Sequence, residues 1–221
     1  SGRGGLSRFV ASDLLSDDKL SIFFAANIAE EENNYNREKA LEKNIPNDKF
    51  VVQYASFDDL RYTDQSFDVI FSNEAILHSK DKPKLMSEIA RMLTKDGICV
   101  ISDIIEAPDV DKSKLTEVYN RLDLSSMGNH VMYDEALTRE GLTKVLNEVS
   151  SDPITKHYGM VLYSATEIKR DELLGPNGVS PQFLDKQIEG LHKWVECGME
   201  GLALIRRHDR VVRWLAAWIE D

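Results

Sequence analysis

Residues 67–103 read FDVIFSNEAILHSKDKPKLMSEIARMLTKDGICVISD. The β-branched and aromatic run Phe67–Ser72 predicts a buried strand, followed by a short loop carrying Asn73, Glu74 and His78. Lys84–Leu93 repeats apolar residues at helical spacing, Lys95-Asp96-Gly97 ends the pattern in a turn, and Ile98–Asp103 predicts a second buried strand. Two such strands joined by a helix make a right-handed βαβ unit. Polar residues just past the carboxyl end of the first strand lie where open α/β sheets bind ligands.

Working outward, Leu20–Ala26 is an apolar run ending at Asn27, as expected of a strand buried on both faces. Phe9–Leu15 before it and the polar stretch Ile28–Asn44 after it read as helices, and Phe50–Tyr54 as another strand. Beyond Asp103, helices are expected over Lys112–Leu124, Asp134–Glu148, Ser164–Leu174 and Pro181–Met199. Ser125–Tyr133 reads as an irregular loop and Ile154–Tyr158 as a short strand. Ile205–Arg210 is too charged for a buried strand. In Asp209–Ile219, Val211, Trp214, Leu215, Trp218 and Ile219 fall at helical spacing. That tail either packs on the body or offers Trp214 and Trp218 to a partner. Strands alternating with helices predict an α/β fold with a parallel sheet.

The 221 residues suit one domain with a sizeable core, and 42% hydrophobic and 29% charged residues are ordinary for a globular protein. A formal net charge of −11 argues against nucleic acid as a partner, since phosphate binding depends on a basic field. No apolar run approaches the roughly 20 residues needed to span a bilayer, so no membrane is expected. Cys99 and Cys197 are too few for a disulfide framework, and a reducing interior such as the cytoplasm is the plain reading. The Asp, Glu and His spacings show no metal-ligand pattern, and no P-loop or nucleophile elbow is present.

The order of residue types from Phe67 to Asp103, with Gly2-x-Gly4-Gly5-x-x-Arg8 upstream, resembles class I S-adenosylmethionine (SAM)-dependent methyltransferases. Within these it looks most like the sarcosine and dimethylglycine N-methyltransferases, and next like the phosphoethanolamine N-methyltransferases. The resemblance implies a Rossmann-like sheet with helices on both faces. It also implies one domain over residues 1–221, with an acceptor-pocket segment at about 104–133 and a helical C-terminal tail at about 181–221. Gly2, Gly4, Gly5 and Arg8 match the second half of the family's glycine-rich loop. Its acidic first half and the first strand before it are missing, which points to a fragment of a longer protein or to impaired cofactor binding.

Residue by residue, the resemblance places Asn27 at the ribose hydroxyls, where the family usually has an acidic residue; a helix N-cap is the rival reading. It places Ser56 and Phe57 near adenine, although Phe57 could equally fill the core. Asn73 falls at the amino-acid part of SAM, and His78 near the acceptor nitrogen. Imidazole, with an unperturbed pKa of about 6.5, can take a proton from an ammonium substrate or orient it. Asp103 faces the acceptor pocket or caps the next segment. Met127, His130 and Tyr133 fall in the acceptor segment, where the aromatic face of Tyr133 could attract a methylated ammonium.

The expected function is methyl transfer from SAM to a small amine, sarcosine or dimethylglycine on the way to glycine betaine. A phosphoethanolamine-type substrate is the nearer alternative. A catalytically inactive methyltransferase-like interaction module is the more distant one. A homo-oligomer, or a partner held through the C-terminal tail, stays open.

Overall fold

The computed structural model describes residues 1–17, 19–150, 152–176, 178–200 and 202–211. They form two compact units, Ser1–Thr63 and Asp64–Asp221.

The first unit runs α1 (Gly5–Ser16), β1 (Phe23–Asn27), α2 (Glu30–Glu42) and β2 (Phe50–Tyr54). The strands pair in parallel, from Phe23 opposite Phe50 to Asn27 opposite Tyr54. Ala11, Ala25, Ala40, Ile45, Phe50 and Val52 form its core. Of the β1 residues only Ala25 is fully buried, and Ile22 before it is 45% exposed, so this is a half-buried strand that starts three residues later than expected. Helix α2 has no apolar stripe: it buries Asn33, Asn36 and Ala40. Three glutamates in its first turn and Lys39 in its last complement the helix dipole.

The second unit begins with β3 (Phe67–Asn73), a single 3-10 turn (Ile76–His78), α3 (Lys82–Met92) and β4 (Leu93–Glu106). This is the expected βαβ unit, with Val69 opposite Ile98 through to Asn73 opposite Ser102 in parallel register. Its second strand starts earlier than expected, at Leu93, and Lys95-Asp96-Gly97, read as a separate turn, falls inside it where Asp96 takes φ +69 and the register shifts. Asp81 caps α3 by accepting from the Lys84 N–H at 3.0 Å, and Leu85, Met86, Ile89 and Ala90 form its buried face. A 3-10 turn (Lys112–Leu115) leads into α4 (Thr116–Leu122). Then come α5 (His130–Arg139), β5 (Leu142–Ser150) and α6 (Asp152–Tyr163), which runs on as a π-helical turn to Ile168. The described chain closes with α7 (Arg170–Leu173), α8 (Pro181–Glu200) and β6 (Leu202–Val211). The sheet order is β3-β4-β6-β5, with β6 antiparallel to both neighbours.

Several expectations fail in this unit, each for a physical reason. The helix expected over Asp134–Glu148 stops at Arg139, because Gly141 turns the chain at φ +81 and frees Leu142–Ser150 to pair as a strand. Ile154–Tyr158, expected as a strand, lies in α6, where positions 154 and 158 share one helical face against Trp194. The charged stretch Ile205–Arg210 lies within a strand after all, since β6 hydrogen-bonds to a strand on each side and its backbone is satisfied whatever its side chains. The supposed loop Ser125–Tyr133 becomes helix from His130, capped by Asn129 accepting from the Met132 N–H at 2.9 Å. Asp209–Val211 belong to β6 rather than to a tail helix, and Trp214 and Trp218 lie outside the described residues. Among the described residues no helix is long and apolar enough to cross a membrane.

Candidate active site

In the first unit the glycine loop is built around left-handed backbone. Gly2 has φ +50 and Gly4 φ +76, left-handed backbone that glycine adopts at no steric cost. The Gly4 N–H donates to the Ser1 carbonyl at 3.0 Å, and its own carbonyl accepts from the Arg8 N–H at 3.0 Å, starting α1. The buried Arg8 guanidinium donates to the Arg3 carbonyl at 2.7 Å and to Asn36 Oδ1 at 2.6 Å. Arg8 thus ties the loop to α2. A Cβ on Gly4 would lie 2.0 Å from the Asn36 side chain, whereas one on the exposed Gly5 would meet nothing within 4 Å. The bareness of Gly4 makes room for Asn36, and the open side of the loop is at Gly5.

At the carboxyl end of β1, Asn27 Nδ2 donates to Glu32 Oε2 at 2.9 Å and reaches the Gly2 carbonyl at 3.5 Å. Its Oδ1 accepts from the Ile28 N–H at 3.0 Å. The N-cap of α2 is Ala29, so Asn27 is not that cap. Asn27 and the loop are therefore brought together, and they bring a half-buried carboxylate, Glu32, which sequence reading assigned no role. Ser56 Oγ accepts from the Asp58 N–H at 3.2 Å, and Phe57 beside it is half-buried.

In the second unit, Asn73, Glu74 and His78 are all exposed at the carboxyl end of β3. Glu74 adopts φ +48, and its N–H donates to the Ser102 carbonyl at 2.7 Å, so pairing with β4 runs one residue past the strand. A left-handed glutamate is strained backbone, a condition that gathers at functional sites. The buried pair Ile76 and Leu77 anchors the 3-10 turn, which leaves His78 outward. Glu74, read from sequence as one of the polar residues of this loop, was given no individual role there.

Asp103 faces inward from β4 and has no exposed surface. The Tyr133 hydroxyl donates to its Oδ2 at 2.8 Å, and Oδ1 has no hydrogen-bond partner. Burial pushes its carboxyl up to about 7, against the pull of the Tyr133 hydrogen bond, the Ile104 N–H and the Lys82 ammonium. Tyr133 is itself buried in α5, and Met127 sits in a core with Ile104, Leu115, Val118 and Trp194. Asp103 and Tyr133 are therefore joined in the interior and Met127 is buried in a separate apolar cluster, while His130 is half-buried at the first turn of α5. The segment before α5 walls a cavity of about 150 Å³ with Lys80, Lys82 and Pro83.

Residues 2–151 match the sequence profile of a family described as a methyltransferase domain. The chain is 33% identical over 175 residues to the glycine/sarcosine/dimethylglycine N-methyltransferase of Actinopolyspora halophila, covering 79% of this chain and 30% of that protein. It is 30% identical over 201 residues to the sarcosine/dimethylglycine N-methyltransferase of Aphanothece halophytica, covering 90% of this chain and 69% of that one. A Galdieria sulphuraria crystal structure, provisionally assigned as a sarcosine dimethylglycine methyltransferase, superposes with a TM-score of 0.84 at 31% identity. The superposition covers 96% of this chain and 76% of that one. The fold is the α/β, Rossmann-like architecture of class I methyltransferases. On the extent of the profile match, the chain belongs to the methyltransferase domain family.

Proposed function

We propose that the chain is the core of a SAM-dependent N-methyltransferase that methylates a small amino acid, sarcosine or dimethylglycine, towards glycine betaine. The observation that carries this reading is the exposed set Asn73, Glu74 and His78 at the strained carboxyl end of β3. A carboxylate there attracts an ammonium substrate, and an imidazole can accept its proton. The names of the matched relatives support the same substrate class. We take both units as parts of one domain, because the family profile runs across the boundary at Thr63.

The residues of the first unit fit the cofactor. Gly5 leaves open space at a helix N-terminus, suited to a ligand carboxylate. Glu32, held by Asn27, offers carboxylate oxygens to a pair of ribose hydroxyls and restores the acidic character that Asn27 lacks. Phe57 offers a flat face for adenine. When bound, SAM supplies a methyl group on a sulfonium, an electrophile that needs a free amine lone pair. The chain's own work is to hold the amine, take its proton at His78 and exclude water. The interior of the cytoplasm suits such an enzyme and its two buried cysteine side chains, Cys99 and Cys197.

Incubation with methyl-labelled SAM and a panel of glycine, sarcosine, dimethylglycine and phosphoethanolamine tests the proposal. Label should pass to sarcosine and dimethylglycine. Transfer to phosphoethanolamine alone would overturn the substrate, and SAM binding with no transfer would favour an inactive module.

A further inference from the structure

Lys82 is an unusual residue for its place. It opens α3, where a positive charge opposes the helix dipole, and it is only 5% exposed. Burial holds its ammonium below the ordinary lysine range, and the carboxylates of Asp103 and Glu106 push back. Its Nζ donates to the Ser79 carbonyl and to the Ser126 carbonyl, each at 2.9 Å. One partner follows His78 directly; the other opens the segment that leads to His130. Its stem passes over Gly128, where an added Cβ would come within 3.4 Å of Lys82 Cδ.

Two further grips hold the same segment. The Met127 N–H donates to the Tyr119 hydroxyl at 3.1 Å, and that hydroxyl donates to Glu106. The Gly128 carbonyl accepts from the Glu106 N–H at 3.0 Å. Three consecutive residues, Ser126 to Gly128, are thus gripped by backbone contacts, and Lys82 alone among these grips also reaches the His78 loop. A compact ammonium with three rotatable donors can serve two carbonyls at once.

We propose that Lys82 is a positioning residue: it clamps the loop that carries His78 to the 126–130 segment, and so fixes the acceptor side of the site. The inference rests on the N-methyltransferase reading for its kinetic consequence, but not for the clamp itself. Lys82→Met keeps the stem and removes the donors. Amide exchange should quicken at both 76–79 and 126–129. The KM for sarcosine should rise about tenfold or more, because a misplaced substrate loses rate and affinity steeply. SAM affinity should stay within about twofold, and Lys82→Arg should recover part of the KM. Tyr119→Phe should quicken exchange at 126–128 only. A folded Lys82→Met with wild-type exchange and KM would overturn the proposal. Should that variant not fold, native-state exchange of the wild-type chain in dilute urea decides: the clamp predicts that Ser79 and Met127 open together, and independent opening refutes it. If the wild-type chain methylates none of the amines, the functional reading falls, and the exchange result still settles the clamp.

Discussion

At Asp103, burial raises the carboxyl to about 7, and this has a sign that can be measured. The folded state binds the proton more tightly than the unfolded chain, so the stabilisation is full below about pH 4 and is lost as pH rises to about 7. Asp103→Asn is neutral throughout. Its stability relative to wild type should therefore climb between pH 4.5 and 7, by an upper bound of about 4 kcal/mol, and level off above. Denaturation curves of both proteins across that range check it; a constant difference would mean that Asp103 does not hold its proton. His78, exposed at the end of its turn, makes the complementary case. His78→Ala should slow methyl transfer by about 10²–10⁴-fold if His78 is the base, with SAM affinity nearly unchanged. A base role predicts a loss that shrinks as pH rises and free amine accumulates, and a positioning role a loss flat with pH. Full activity at every pH would assign His78 to structure. The position of His78, just past the carboxyl end of a strand, was legible in sequence because the strand itself was. The place of Lys82 was not, because its ammonium is held by a carbonyl 44 residues away in the chain.

Among the elements, the start of α1 shows why two adjacent glycines are not equivalent. Gly4 combines φ +76 with a Cβ position occupied by Asn36, so Gly4→Ala should destabilise the protein whether or not ligand is present. Gly5 has ordinary helical backbone and open space beside it. Gly5→Ala should stabilise the ligand-free protein by about 0.4–1 kcal/mol. On the proposed cofactor reading it should also weaken SAM binding, because the methyl enters the open space beside the helix start. Thermal melts with and without SAM separate the two effects. An unchanged SAM affinity in Gly5→Ala would remove this helix start from the cofactor site. Periodicity alone could not find the buried face of α2, since Asn33 and Asn36 are polar. Asn36 is buried because Arg8 donates to it, and Asn33 because it donates to the Asn27 carbonyl at 3.2 Å and to Glu30 at 3.0 Å.

For the whole molecule, a ligand that binds only the folded state stabilises it by mass action. SAM at about 100 times its Kd should add about 2.7 kcal/mol, read as a concentration-dependent rise in Tm. No shift at millimolar SAM would argue against cofactor binding by this chain. The sequence by itself determined the βαβ unit from Phe67 to Asp103, because its strands and helix are set by contacts close in the chain: apolar runs and a capped amphipathic helix between them. It also placed Gly2, Gly4 and Gly5 at the start of a helix and Asn73, Glu74 and His78 at the end of β3. Only the tertiary structure decided β5 and β6, which exist because Leu142–Ser150 finds Leu204–Val211, some 60 residues onward, and β6 in turn finds β4. The same holds for Met127 and Tyr133, read as acceptor residues and found in the core. Side-chain burial is settled by what packs over a residue, and for Tyr133 that is a carboxylate 30 residues earlier in the chain.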